Sequence, residues 1–293
     1  MEPANDIALR MDQSKDHFPI LNIQEFSNSS NSNQAILFHE LHGERSIAEA
    51  HKHSFFIAIL FEQGKGSLSI DFIPYNIGKQ QLHLVFPEQV HQWKFKKETI
   101  GYQLMIAGEA FEAFLPYLRY SAAFYQRHPV IDLPAADYRT LLYEFQQIQK
   151  ELEQQAPFQE LVQLRCDTIG LLISRTAAKV FKDFESNNTN PLLSRFLGLI
   201  DQHYKEQRSV AFYANMINIS PNYLNMISQK ELNVAASSLI QQRVLLEAKR
   251  LLKASKMTIK EIVFDLGFYD HANFAKFFKA HTGMTPTAFK DLK

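Results

Sequence analysis

His51, His53, His91 and Trp93 are the first residues in this chain whose types and spacing suit a site. They occur as two pairs, each two residues apart, in His-Lys-His-Ser-Phe-Phe and Val-His-Gln-Trp. Side chains of a strand alternate between its faces, so each pair shares a face, and alternation puts Phe55 on the side of His51 and His53. Neutral imidazole suits Zn, Fe, Ni or Cu, and it suits equally the wall of a small-molecule pocket. Each histidine taken singly also fits a hydrogen-bonded rim position, and the residue types alone leave these readings open. A second set lies near the end of the chain. Asn222, Tyr223, Asn225, Met226, Gln229 and Lys230 cluster in one stretch, and His271, Asn273, Ala275, Lys276 and Lys279 in another. Carboxamides of Asn and Gln match adenine edges, and lysine matches guanine or phosphate.

The second set is positioned by a degenerate repeat. Val210, Ala214, Ile217, Asn218 and Ile219 recur at an offset of 49 residues as Ile259, Val263, Leu266, Gly267 and Phe268. In each copy a short helix ends at Asn218 or Gly267, residue types that most readily turn the chain through the left-handed conformation. The next helix opens on Ser220 as N-cap with Pro221 first in the first copy, and on Asp270 as N-cap in the second. Leu224 and Ile227, then Phe274, Phe277 and Phe278, form the inward faces, leaving the polar set outward. A long helix over 237–254 separates the copies. Helix, tight turn, helix is the helix-turn-helix plan, whose second helix enters the major groove. One such turn also fits a helical bundle that binds nothing; two copies and a basic balance argue for DNA. The net charge of the chain is zero, yet residues 190–293 hold 14 Lys and Arg against 8 Asp and Glu (+6), leaving 17 against 23 (−6) in residues 1–189. The basic part is the candidate for phosphate contact.

The histidines fall in a region of short β-rich runs at 35–41, 55–62, 67–72, 82–86, 92–96 and 101–106, separated by Gly64, Gly66, Pro74, Asn76, Gly78 and Pro87. Such spacing predicts a small barrel or sandwich. From Tyr138 the period changes. Tyr138, Leu141, Phe145, Ile148 and Leu152 make one helical seam, and Phe158, Val162, Cys166, Ile169, Ile173 and Val180 a second after a break at 154–157. These helices either cover the barrel or pair with a second subunit, and the heptad-like spacing points toward pairing. Cys166 lies on the apolar stripe and reads as core packing; a lone cysteine excludes an internal disulfide framework. The polar stretch 185–191 reads as a linker. The first sixteen residues lack a signal-peptide pattern, and the longest apolar run, 55–61, is too short to span a bilayer, so a cytoplasmic protein without membrane contact is expected.

The segment Ala248-Lys249-Arg250-Leu251-Leu252, with Ile259, Ile262, Gly267-Phe268, Phe274, Phe278-Lys279, Gly283, Pro286 and Arg243, resembles the AraC/XylS family of transcription regulators over about residues 192–290. The resemblance implies two recognition helices on one monomer, held apart by the connecting helix. Val263 stands where the family usually has Ala, Ser228 where it has Phe, and Asn233 and Ala236 where it has Gly and Pro, so the first unit is the less typical. The stretch from His51 to Trp93, with Gly64, Gly66, Asp71, Phe86 and Pro87, resembles the cupin-type sensor domain of these regulators, which implies a barrel holding a small effector. Metal-binding cupins carry a Glu shortly after the His-x-His pair; Ile57 and Ala58 stand there instead, so a metal-dependent cupin enzyme, the competing reading, lacks its acid. No nucleophile–base set, Walker loop or dinucleotide fingerprint appears.

The resulting expectation is an α+β chain: a cupin-like β-barrel domain (1–120), a helical dimerisation segment (121–184), a linker (185–191) and an all-α DNA-binding domain with two helix-turn-helix units (192–293). It is a non-enzymatic regulator without cofactor or metal. Its expected partners are promoter DNA, a small effector at His51, His53, Phe55, His91 and Trp93, a second copy of itself, and RNA polymerase where it activates.

Overall fold

The computed structural model describes residues 20, 21, 23, 35–120, 122–181 and 190–291. These fall into two compact units, one reaching Phe181 and the other starting at Asn190. Residues 185–189 of the expected linker lie outside the described residues. Its last two residues start a helix instead, with Asn190 Oδ1 accepting from the Leu192 N–H and Pro191 in the first position.

The first unit carries strands β1 (Ile20–Leu21), β2 (Ile36–His42), β3 (Arg45–His53), β4 (Phe56–Gln63), β5 (Gly66–Ile70), β6 (Ile73–Asn76), β7 (Gln81–Val85), β8 (His91–Phe95), β9 (Ile100–Ile106) and β10 (Val130–Asp132). They form two five-stranded sheets, ordered β1-β3-β8-β5-β6 and β10-β7-β4-β9-β2. Of the barrel or sandwich expected, the chain forms the cupin-like fold as two facing sheets, jelly-roll-like and not closed into one barrel. The physical reason lies at its corners. The chain changes sheets at most of its connections, two of them at Gly43 and at Gly64–Gly66, where a hairpin ladder would otherwise continue. Gly66 is at φ 131°, and a Cβ there would sit 2.0 Å from the Lys94 carbonyl oxygen, so no other residue fits.

Strand β4 is apolar at nearly every position because both its faces are covered. Ile57, Ile59 and Phe61 face the other sheet, where Leu68, Ile70, Trp93 and Phe95 meet them. Phe56, Ala58 and Leu60 face the opposite way, into a core shared with helices. Those helices are α1 (Gly108–Phe114), α2 (Ala122–Arg127), α3 (Ala135–Leu152) and α4 (Gln159–Val180). Leu141, Phe145 and Ile148 of α3 are fully buried there, with Val162, Cys166, Ile169 and Ile173 of α4. Phe145 meets Phe38 edge-on at 6.3 Å, and Lys179 Nζ holds Asp137 at 2.8 Å. Of the two roles open to these helices, their buried residues take that of a cover: they lie on the outer face of a sheet in the same chain, which costs no association entropy, and are not available to a partner.

The second unit is α5 (Pro191–His203), α6 (Val210–Met216), α7 (Pro221–Leu232), α8 (Ala236–Ala254), α9 (Ile259–Asp265), α10 (His271–Thr282) and α11 (Pro286–Asp291). Its own core joins Phe196 and Ile200 of α5, Tyr213 and Ala214 of α6, Leu224 and Ile227 of α7, Val244 and Ala248 of α8, Ile262 and Val263 of α9, and Phe274 and Phe278 of α10.

Candidate nucleic-acid interface and effector site

The repeat folds as two copies of one helix-turn-helix plan. Asn218 at φ 57° and Gly267 at φ 69° end α6 and α9 in the left-handed region, and Ser220 Oγ and Asp270 Oδ1 cap α7 and α10 through the N–H groups of Tyr223 and Asn273. Thr258 and Glu261 add a reciprocal capping box to α9. With Leu224, Ile227 and Ser228 buried, α7 exposes Asn222, Tyr223, Asn225, Met226, Gln229 and Lys230. With Phe274 and Phe278 buried, α10 exposes His271, Asn273, Lys276 and Lys279, while Ala275 is half-buried.

Two of these side chains have local duties. Asn273 Nδ2 donates to Asp270 Oδ2 at 2.9 Å. Asn225 Oδ1 accepts from the Ala236 N–H at 3.1 Å, the first N–H of α8, whose N-cap Ala235 has no side-chain acceptor. The departures from the family pattern are also absorbed locally. Asn233, at φ 53°, supplies the left-handed turn after α7 that Gly283, at φ 75°, supplies after α10. Ser228 fills the buried place of a Phe and satisfies its hydroxyl on the Leu224 carbonyl at 2.9 Å.

Arg243 fastens α8 to α5. It donates to Asp201 of α5 at 2.8 Å and to Glu247 at 2.9 Å, and its guanidinium lies over the Tyr204 ring.

Between the two sheets, all five expected effector residues come together. His51 lies opposite His91 in the β3–β8 ladder. Ring centroids are 4.2 Å apart for His51 and His91, 4.6 Å for His53 and His91, and 5.6 Å for His51 and Trp93. Phe55 stacks on His53 at 4.0 Å, from the bend after β3 rather than from the strand itself. His91 Nδ1 donates to the Gln89 carbonyl at 3.1 Å, so Nε2 is its acceptor. Burial, and then the His51 charge, push His53 down to about 3. Burial likewise holds His91 well below the ordinary histidine range. His83, not singled out from the sequence, is buried against Phe61 and pushed down to about 3 by burial. The alternation in Gln-Leu-His-Leu-Val, which sends Leu82 and Leu84 the other way, was the signal for it.

Ile57 and Ala58 occupy the acid's place as core residues, and among the described residues no group of three His, Cys, Asp or Glu side chains is arranged to hold an ion.

A sandwich with buried polar groups, followed by two helix-turn-helix units, defines a ligand-responsive DNA-binding regulator. An AraC-like ligand binding domain model matches residues 33–165 and a helix-turn-helix domain model residues 213–291. The chain belongs to the AraC family of transcription regulators: its first part is the ligand-binding domain and its last part binds DNA. It is 25% identical over 250 residues to the HTH-type transcriptional regulator YfiF of Bacillus subtilis, covering 83% of this chain and 78% of that one. It is 23% identical over 162 residues to the melibiose operon regulatory protein of Escherichia coli, covering 51% of this chain and 53% of that one. Among solved structures, ToxT of Vibrio cholerae with bound unsaturated fatty acid aligns over 88% of this chain and 95% of its own, at 16% identity and a TM-score of 0.41. No helix among the described residues is long and apolar enough to cross a membrane.

Proposed function

We propose that an uncharged, polar organic molecule binds between the two sheets at His51, His53, Phe55, His91 and Trp93, and that its binding governs the grip on DNA. The observation that supports this is a set of stranded nitrogens. Both ring nitrogens of His53 and Nε2 of His91 are buried without a hydrogen-bond partner among the described residues. Each such group costs about 1–3 kcal/mol, which a ligand hydroxyl or carbonyl would offset. His53 and His91 are held neutral, so at these two positions the site offers hydrogen bonds rather than positive charge. The relative named for the melibiose operon makes a sugar the first compound to try.

The chain acts by binding, without catalysis and without a metal. Helices α7 and α10 read base edges through Asn222, Met226, Gln229, His271 and Lys276, with Tyr223, Asn273 and Ala275 lining the contact and Lys230 and Lys279 on phosphates. A second copy pairs through the outer face of α4, where Leu164 (60% exposed) and Leu171 (39%) stand seven residues apart beside exposed Phe158. RNA polymerase is the further partner where the chain activates.

The test is a titration of neutral sugars and related polyols into chelator-treated full-length protein bound to a duplex selected from a random pool. A ligand that shifts the melting temperature and the DNA affinity, and that does neither in His53→Leu, is expected. Stoichiometric transition metal surviving chelation, or a response that vanishes on metal removal, would overturn the reading.

A further inference from the structure

The two turns that aim the reading helices are held differently. The first, at Ile217–Ile219, carries an Asn with its Cβ. The second, Leu266-Gly267-Phe268, is gripped by the loop that joins α5 to α6. Lys205 Nζ meets both Asp265 carboxylate oxygens at 2.9 and 3.1 Å. Arg208 donates to the Leu266 carbonyl at 2.6 Å, and its guanidinium lies flat enough over Phe268 to sit 3.6 Å from the ring centroid. The Lys205 carbonyl comes so close to Gly267 that a Cβ there would stand 2.2 Å from its oxygen. Arg208 stands directly before Ser209, the N-cap of α6. One side chain therefore starts at the entrance of the first helix-turn-helix and ends on the turn of the second.

We propose that Arg208 and Lys205 are positioning residues that lock α10 at one separation from α7, so that the chain accepts its two half-sites at a single spacing. This rests on the reading that both helices enter grooves. Helix α8 alone would leave short connectors at each end, 233–235 and 255–258, as joints. The loop closes a second, independent link across the same gap, and two links fix a geometry where one permits a hinge. The parts suit a stiff bond. Guanidinium is planar, stacks on an aromatic face and keeps its fork of donors fixed, which an ammonium does not. The Lys205–Asp265 pair is half-exposed and adds less. Spacing is sensitive to such a lock because one added base pair moves a half-site by about 3.4 Å and rotates it by about a tenth of a turn.

The experiment uses the full chain and a duplex selected by it from a random pool, together with versions one base pair longer or shorter between the half-sites. Fluorescence anisotropy gives the spacing ratio, the affinity for the selected duplex over that for the altered ones. Wild type should show a ratio of roughly tenfold. Arg208→Ala should bring it to about twofold while leaving affinity for an isolated half-site unchanged, and Arg208→Lys, which keeps the charge but not the stacked plane, should relax it too. Lys205→Glu should lower the ratio and Lys205→Glu with Asp265→Lys should restore it. If Arg208→Ala weakens every duplex equally at an unchanged ratio, the lock is wrong and Arg208 is a phosphate contact. If circular dichroism shows that Arg208→Ala does not fold, the half-exposed Lys205 pair decides, and an unchanged ratio in Lys205→Glu overturns the proposal. A wild-type chain that selects only one half-site overturns the underlying two-helix reading before any variant is made.

Discussion

Asn225 lies on the outward side of α7, yet its carboxamide oxygen is already committed to the first N–H of α8. Bidentate pairing with adenine needs both the oxygen and the amino group, so Asn225 cannot give it while it caps. The matching pair in the second copy is Ala275 and Pro286, which has neither the acceptor nor the N–H, so the family's Pro and this chain's Asn–Ala pair solve the same helix start in two ways. Asn225→Ala should therefore lower stability by about 0.5–2 kcal/mol, as loss of a cap does, and weaken all duplexes alike. Gln229→Ala should instead relax one base pair by about 1–3 kcal/mol at unchanged melting temperature. Binding to a single-substitution duplex series, read beside thermal melts, separates the two, and a base-specific loss in Asn225→Ala would show that the cap yields to DNA. Gly267 carries a double constraint. Gly267→Ala meets the left-handed cost of about 1–2 kcal/mol and also the Lys205 carbonyl, whereas Asn218→Ala meets only the first. Melting should fall further for the glycine variant, and equal losses would mean that the loop moves aside.

At the scale of elements, α3 and α4 have two kinds of apolar surface with different fates. Phe145 is fully buried between α4 and the sheet. Phe145→Glu would bury an unpaired carboxylate, so it should unfold the first unit rather than yield a folded monomer. Leu164 and Leu171 are exposed, so Leu164→Glu with Leu171→Glu should leave melting within about 0.5 kcal/mol, as surface changes do, and shift sedimentation from dimer to monomer. A native chain that sediments as a monomer at micromolar concentration would remove α4 as a partner surface.

For the whole molecule, two separate cores imply separable stabilities. A fragment starting at Asn190 contains the complete second core and should fold and bind the selected duplex, more weakly than the full chain; an unfolded fragment would refute the division. The first unit should be the acid-sensitive one. His53 and His83 are pushed down to about 3 and His91 well below its ordinary value, chiefly by burial, whereas in the unfolded chain each titrates near 6.5. Below that pH the unfolded chain binds the extra protons. The stability these groups allow is thus fully present above about pH 6.5 and is lost as pH falls, by about 1.4 kcal/mol per unit for each histidine. The urea midpoint of the full chain's first transition should drop between pH 7.5 and 5.5, while the isolated second unit changes little. A midpoint independent of pH would mean that these imidazoles are solvated.

The sequence by itself determined most of the local grammar of the second unit. Asn218, Ser220, Gly267 and Asp270 act through bonds within a few residues of themselves, so their types specified the turns and caps without knowledge of the rest. It also determined that His51 shares a face with His53 and His91 with Trp93, because strand alternation is a backbone property, and it determined the family; the β3–β8 pairing that joins the two pairs is tertiary. The tertiary structure alone decided three things. Whether the strands close into a barrel depends on where the chain leaves one sheet for the other, as it does at Gly43 and Gly64–Gly66 among other connections. Whether a heptad-like stripe on α3 meets its own sheet or a second copy depends on which apolar surface is nearer, and periodicity cannot say. The roles of Asn225, Lys205 and Arg208 depend on partners 11, 60 and 58 residues away. An outward polar side chain on a reading helix and a basic residue in a loop look the same in sequence whether they face DNA or the protein itself. Only the packing of α8 and α9 against α7 and the loop after α5 brings the N–H, the carboxylate and the carbonyl that claim them.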